Sequence, residues 1–372
     1  MRIYFIGQKG IPTIAGGIER HVEELSTRMA ALGHEVFVYA RDYYTPKDLN
    51  EFKGVHIIHL PTVRSKNFDA ITHSFLATIH VLFQKADVIH YQGIGPSILL
   101  WIPKLFNRRT KIFCTIHSDD RQHQKWSKFA KFMLGMGARV GIRMADKSIA
   151  VSKHQKETFE QEFGGNLAYI PNGVPQYPRF APDVITNRWG LKGNDYILIA
   201  SRLVKHKGVH YAIQAYQMLQ STSKKLVIVG GGAYTDEYVV RLKEQANDDP
   251  NIIFVGEVKG QPLFELFSNA YFYLTASEYE GFSIFLLEAM SYGIPILSSD
   301  IPPNLEALGG YGFTFRNKNI TDLREKMEMM IDHPDLVRQS SEDLKRRVRE
   351  EYNWDVVAGK TLELYRHYIA LK

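Results

Sequence analysis

Residues 2–40 read RIYFIGQKGIPTIAGGIERHVEELSTRMAALGHEVFVYA, and the reading of this stretch decides the fold. Two short runs, RIYFIG (2–7) and EVFVYA (35–40), are rich in aromatic and β-branched residues and suit strands. Between them Ile18, Val22, Leu25, Met29 and Leu32 recur every three or four residues, the spacing of one helical face. Glu19, Arg20, Glu23, Glu24 and Arg28 take the opposite face, and Gly33 stops the helix. Strand, helix and strand in this order form a crossover unit, which places the two strands parallel.

The same alternation runs the length of the chain. VHIIHL (55–60), DVIHYQ (87–92), KIFCTIH (111–117) and KSIAVS (147–152) continue it in the first half. YILIASR (196–202), KLVIVGG (225–231), NIIFVG (251–256), YFYLTAS (271–277) and IPILSS (294–299) carry it through the second. Residues 171–195 break it with four prolines and three glycines. The expectation is an α/β protein of two Rossmann-like domains, at 1–175 and 195–353, joined by a linker at 176–194. At 372 residues the chain is long for a single core, and two domains suit it. Ligands of such sheets bind at the carboxyl ends of the strands, so two facing domains would hold their site in the cleft between them.

The net charge of +6 is unevenly spread: residues 1–180 carry 24 Lys+Arg against 15 Asp+Glu, a net of +9, and the remainder carries −3. A basic half implies an anionic partner. A single cysteine, Cys114, fits a reducing cytoplasm and reads as a buried, inert thiol. The opening segment is too short for a signal peptide, and no apolar run approaches the ~18 residues that span a bilayer. The glycines at 7, 10, 16 and 17 do not spell a dinucleotide fingerprint, and no G-K-[ST] follows them. D-x-D and Cys/His metal spacings are absent, so neither a metal nor a cofactor is expected.

Four places could carry chemistry. In EYEGFSIFLLEAMSYGIP (278–295), Glu280 and Glu288 flank seven residues, five of them apolar. Ser283 suits an N-cap for a helix from about 284 to 292, with Gly293 and Pro295 beyond its end. Glu280 then precedes the helix and Glu288 lies ~6–7.5 Å along it. The amides of the first turn, around Phe282, Ser283 and Ile284, lie between them and can take a phosphate, while the carboxylates accept from hydroxyls. In SRLVKHKG (201–208), Arg202 and Lys207 follow a strand and could neutralise a diphosphate. Gly16 and Gly17 precede the first helix, where backbone can approach a ligand. His117 ends a strand in the basic half. Each has a plain alternative as well: a surface charge, a solvated loop, a structural turn or a structural histidine.

Together these residues resemble the retaining family 4 glycosyltransferases of GT-B fold. GGIERHVEELSTRMAALGHEVFVYAR, IPNGV, SRLVKHKG, VGEV, SEYEGFSIFLLEAMSYGIPILSS and the terminal YNW…LYRHY carry the resemblance. The start of the chain and RQHQKWSKFAKFMLG are similar to a rhamnosyltransferase-like bacterial subgroup of surface-polysaccharide synthesis. The resemblance implies a hexosyl- or deoxyhexosyltransferase using a nucleoside-diphosphate sugar and a saccharide or polyprenyl-diphosphate-linked acceptor. It implies that Glu280 and the backbone of Phe282, Ser283 and Ile284 hold the donor sugar, and that Glu288 holds the ribose. Arg202 and Lys207 would stabilise the diphosphate, Gly16 and Gly17 would approach it, Val258 would meet the base, and His117 would lie near the transferred sugar. Ser283 stands where many members have glycine. The final helix, about 354–372, would cross back to the first domain, and closure would expel water. A sugar-nucleotide epimerase or hydrolase and a catalytically silent binding subunit remain alternatives.

Residues 121–143 hold six Lys+Arg and no acid. On a helical wheel Trp126, Phe129, Met133, Met136 and Val140 share one side, with Lys125, Lys128, Lys131, Arg139 and Arg143 opposite. Two readings stay open: a sheet-covering helix with its apolar side inward, or a lysine face that meets an anionic membrane. No nucleic-acid-binding motif accompanies the charge.

Overall fold

In the sequence, Ile3 and Phe5 alternate with Tyr4 and Ile6, and all four are buried. A strand turns successive side chains to opposite faces, so burial of both kinds requires a sheet covered on two sides. The computed structural model describes every residue except 15, 66–67, 123–126, 221, 233–235 and 372. The chain forms two units, Met1–Asn172 with Trp354–Lys372, and Gly173–Asn353.

The first unit contains β1 (Arg2–Ile6), β2 (Glu35–Arg41), β3 (Glu51–Phe52), β4 (Val55–Leu60), β5 (Val88–Gln92), β6 (Lys111–Ile116), β7 (Lys147–Ala150) and β8 (Ala168–Tyr169). They are ordered β3-β4-β2-β1-β5-β6-β7-β8. All pairs are parallel except β3 with β4, a short antiparallel edge that the sequence pattern did not reveal. The helices α1 (Gly17–Ala31), α2 (Asp69–Leu82), α3 (Ile94–Ser97), α4 (Trp101–Phe106) and α5 (Lys128–Met144) follow these strands in turn. Ile3 and Phe5 pack with Val22, Leu25 and Met29 of α1 and with Trp354 and Leu362 of the C-terminal helix, Trp354–Ala370. Tyr4 and Ile6 pack on the other face with Ala77, Ile94, Ala138 and Ile142.

The second unit contains β9 (Tyr196–Ala200), β10 (Lys225–Val229), β11 (Ile252–Gly256), β12 (Phe272–Thr275), β13 (Ile296–Ser299) and β14 (Phe313–Phe315). Their order is β11-β10-β9-β12-β13-β14, and every pair is parallel. In each sheet the first strand lies between neighbours reached in opposite directions. Loops leaving the carboxyl ends there diverge and open a crevice. That point is β1/β5 in the first unit and β9/β12 in the second.

Four expectations change. Leu32 is 63% exposed instead of completing the apolar stripe of α1, because the helix ends at Ala31. Glu19, expected on the outer face, is buried and accepts a hydrogen bond from the Lys9 amide at 3.1 Å. Residues 176–194, expected as a linker, belong to the second unit. Ile185 and Leu191 are fully buried there, and the buried carboxylate of Glu265 accepts from the amides of Asp183 and Ile185 at 3.0 and 3.1 Å. The prolines mark an irregular path over a core, not a detached tether.

The fourth change concerns α5. The helix begins at Lys128, capped by the Ser127 hydroxyl, which accepts from Ala130 N. Lys125 and Trp126 lie outside the described residues. Its buried side is made of Gly137, Ala138, Gly141 and Ile142. A Cβ on Gly137 would stand 2.1 Å from the Ile94 carbonyl oxygen, so glycine is what allows α5 to approach α3. With small residues inward, Phe129 and Phe132 face out at 73% and 62% exposure, and Met133 and Met136 are exposed beside them. α5 thus covers the sheet through Ala138 and Ile142, with Val140 half-buried beside them, while Phe129, Met133 and Met136 of the expected inward stripe lie on the surface.

Candidate active site

The second unit's switch point gathers the charged residues singled out in the sequence. After β9 the chain passes Arg202 and makes a 3-10 turn, Lys205–Lys207, so Lys207 lies just before the next helix, Val209–Gln217. Gly208 follows with φ 68, a left-handed conformation that favours glycine. A Cβ here would lie 2.0 Å from the Ala276 carbonyl oxygen, so the missing side chain lets this loop close on the end of β12. The Glu278 amide donates to the His206 carbonyl at 2.7 Å and ties the two loops together. Lys207 Nζ is thereby brought into an ion pair with Glu280 Oε1, both side chains being 12% exposed.

The Ser277 hydroxyl donates to the same carboxylate oxygen at 2.8 Å. Burial by itself would raise the Glu280 carboxyl, but the Lys207 charge and hydrogen bond, with Ser277 and His206, outweigh it and lower it below the ordinary range. Glu280 is thus an anion with one oxygen engaged, able to accept hydroxyl donors on the other. An ammonium has three donors, so Lys207 keeps two for a phosphate while holding Glu280. The Arg202 side chain is exposed and makes no ion pair with the described residues. Val258, half-buried, follows β11 three strands from Glu280 along the sheet, since β9 and β10 intervene before β12.

The helix after Glu280 runs Ile284–Ser291, and the Ser283 hydroxyl accepts from Leu286 N. Leu286, Leu287, Ala289 and Met290 are buried and fix it on the sheet, while Phe282 packs on Tyr352 with ring centroids 5.3 Å apart. Glu288 accepts from the Tyr177 hydroxyl at 3.4 Å. Beneath the helix, the Tyr273 hydroxyl is pushed well above its usual range, first by burial and then by the charges of Glu280 and Glu288. Both carboxylates therefore bear on one phenol.

Sequence reasoning missed the brace on this helix. Tyr177 stacks on Tyr292 at 4.8 Å and an interplanar angle of 4°. The Arg179 guanidinium donates to the carbonyls of Tyr292 and Gly293 at 3.3 and 3.0 Å, satisfying the helix end and complementing its dipole. Ser291 Oγ donates to the Pro175 carbonyl at 2.7 Å. All three partners lie in the proline-rich stretch, where no periodicity marks them.

In the first unit, Gly16 has φ 110, and a Cβ there would lie 2.0 Å from Glu19 Oε2. Gly16 and Gly17 are exposed at the start of α1. The loop before them is held by side chains of and beside α1: Thr13 N donates to Glu23 Oε2 at 2.5 Å and Ile14 N to the Tyr44 hydroxyl at 2.8 Å. His117 follows β6, and its Nε2 is 2.8 Å from Gln92 Oε1 at the end of β5. Its ring meets the edge of His21 at 4.6 Å, and His21 Nδ1 lies 3.0 Å from Asn172 Oδ1. Burial lowers His21 to about 4 despite the Asn172 bond. Burial, then the neighbouring His21 and His90, hold His117 well below 6.5. His117 is therefore a neutral hydrogen-bonding group at pH 7. Cys114, buried beside Ser97, is pushed up to about 12 by burial and is an inert thiol.

Two parallel doubly wound sheets with the C-terminal helix packed on the first define the GT-B class, and solved structures of that class share the fold. Sucrose-phosphate synthase from Thermosynechococcus elongatus superposes with a TM-score of 0.84 at 21% identity, covering 100% of both chains. Anabaena HepE in complex with UDP and glucose gives 0.82 at 18% identity, over 99% of this chain and 100% of that one. Residues 15–176 match the description Glycosyltransferase Family 4, and residues 184–351 match Glycosyl transferases group 1. Glycogen synthase of Mycobacterium tuberculosis is 26% identical over 98% of this chain and 94% of its own length. The chain belongs to these glycosyltransferases.

Proposed function

We propose that this glycosyltransferase is a metal-independent, retaining enzyme that takes its sugar, a hexose or deoxyhexose, from a nucleoside diphosphate. The observation that carries the reading is the Lys207–Glu280 pair at the β9/β12 switch point, beside the amino end of the Ile284–Ser291 helix. A cation for phosphate, amides for phosphate and a carboxylate for hydroxyls suit a sugar joined to a diphosphate. HepE, of the same fold, binds UDP and glucose, which supports a donor of this kind. The absence of D-x-D favours charge neutralisation by Arg202 and Lys207 over a divalent ion.

In this reading the donor's anomeric carbon–oxygen bond breaks, and the nucleoside diphosphate leaves with the electron pair. An acceptor hydroxyl forms the new bond on the same face, and its proton passes to the departing phosphate oxygen. Arg202 and Lys207 stabilise the charge that grows on that phosphate, the kind of interaction that contributes most to such catalysis. Glu280 and the backbone of Phe282, Ser283 and Ile284 orient the sugar, Glu288 holds the ribose, and Val258 meets the base. Gly16, Gly17 and neutral His117 serve the diphosphate and the transferred sugar from the first unit. The acceptor is a saccharide or a polyprenyl-diphosphate-linked saccharide of polysaccharide or glycoconjugate synthesis. The enzyme works in the cytoplasm, at the inner face of the plasma membrane.

Thermal shifts with UDP, GDP, dTDP and ADP, each with EDTA, test this. A ligand at 100 times its dissociation constant adds ~2.7 kcal/mol, a readily measured rise in melting temperature. One diphosphate raising the melt without metal is the expected result and names the donor's base. No response to any diphosphate or to the corresponding sugar nucleotides would overturn the reading.

A further inference from the structure

The surface of the first unit carries an apolar face that the transferase reading does not use. The outward side of α5 presents Phe129, Phe132, Met133 and Met136. Helix α4 lies against α5 and adds Leu105 and Phe106, 58% and 75% exposed. Soluble surfaces rarely gather large apolar side chains this way without a partner.

Charge says what the partner is. Residues 101–109 and 128–144 contain seven Lys+Arg and no Asp or Glu. Arg108, Arg109, Lys128 and Arg139 are exposed and make no ion pair with the described residues. Aromatic and sulfur-bearing side chains beside unneutralised cations are the composition of a surface that lies in a bilayer interface with anionic headgroups. Among the described residues no helix is long and apolar enough to cross a membrane. The packing explains how the face is held: Gly137 and Gly141 lock α5 onto α3 and β6, so its phenylalanines stay outward.

We propose that the α4–α5 face docks on an anionic phospholipid bilayer, with Phe106, Phe129 and Phe132 entering the headgroup region and the flanking arginines and lysines binding lipid phosphates. The proposal rests on the membrane-surface reading above and replaces its lysine side of 121–143 with the aromatic side of α5 joined to α4. It commits to apolar insertion assisted by charge, where the lysine side alone would bind through charge only.

Co-sedimentation with phosphatidylcholine vesicles containing about 30% phosphatidylglycerol tests it. The full chain is expected to bind these and to leave pure phosphatidylcholine largely free. F129S/F132S is expected to lower partitioning about tenfold or more and R108E/R109E to lower it more at low salt than at high. All four positions are exposed, and an unaltered diphosphate-induced thermal shift shows that the second unit is unaffected. Absence of binding by the unaltered chain overturns the membrane reading. Binding that F129S/F132S leaves unchanged overturns this face, as does a dimer in light scattering that the same variant dissociates. The diphosphate shift reads the donor site separately, so failure here and failure there are distinguishable.

Discussion

The Lys128–Met144 and Ile284–Ser291 helices begin alike and end as opposites. Each is capped by a serine hydroxyl that accepts from the amide three residues on, Ser127 from Ala130 and Ser283 from Leu286. The first turns glycine and alanine inward and phenylalanine outward, whereas the second buries Leu286, Leu287 and Met290 and keeps its carboxylate half-exposed. Which side of a helix becomes core is decided by how closely its neighbour approaches. Against α3 only a smooth side fits; over the second sheet there is room for leucines.

The sharpest way to break this contrast is Glu280→Ala. If the Ile284–Ser291 helix is built for chemistry and α5 for surface contact, transfer should fall by about two to three orders of magnitude, and Arg202→Ala should also lose most of it. Melting temperature should change little in the latter, since Arg202 is exposed. Initial-rate assays decide it, and near-normal turnover in either variant would show the site to be wrongly placed.

Gly137→Val attacks the other helix. Its branches have nowhere to go with Ile94 O at 2.1 Å from the Cβ position, so α5 must lift from α3 at a cost of about 3 kcal/mol. Denaturant unfolding should show the loss, and stability equal to the parent would mean that glycines do not set the helix's orientation.

Acid should separate the two units as well. His21 is lowered from 6.5 to about 4 by burial, and burial also holds His90 and His117 well below 6.5. The unfolded chain takes up protons on these rings before the folded one does, so their stabilising contribution is complete above 6.5 and declines as pH falls toward 4. Glu280, lowered below 4.5, contributes above that value and loses its contribution only at lower pH. Burial lowers His210 of the second unit as well, so calorimetry between pH 7.5 and 5 should show both units weakening and the first weakening more, by about 1–2 kcal/mol for His21 alone at pH 5. A melt that weakens uniformly, or gains stability with acid, would refute the assignment of neutral histidines.

What could be read from the sequence follows the range of the forces involved. The alternation along 2–40 and the caps Ser283 and Gly293 are local, and the structure keeps them. The facing of α5 was not local: its stripe is real, but Gly137 and Gly141 matter only once α3 is beside them. Lys207 and Glu280 were each legible as ligand groups, yet their pairing across 73 positions depends on Gly208 meeting Ala276 O. The two short strands β3 and β8, of two residues each, are too short for any pattern.

The smallest expected effect concerns a residue that could not be found from spacing at all. Tyr177 lies where a linker was expected, but its hydroxyl donates to Glu288 Oε1 at 3.4 Å and its ring stacks on Tyr292. Tyr177→Phe keeps the stack and removes one long hydrogen bond, which should cost about 0.5–1 kcal/mol in holding Glu288, a several-fold effect. If Glu288 holds the ribose, that cost should appear as a higher donor KM and weaker diphosphate binding, with kcat nearly unchanged. Tyr177→Ala, which also removes the stack beside Arg179's contacts with Tyr292 and Gly293, should add a loss of kcat as the helix carrying Glu288 loosens. A kcat loss in Tyr177→Phe without any change in donor affinity would place the hydroxyl in the chemical step and separate Glu288 from the nucleotide.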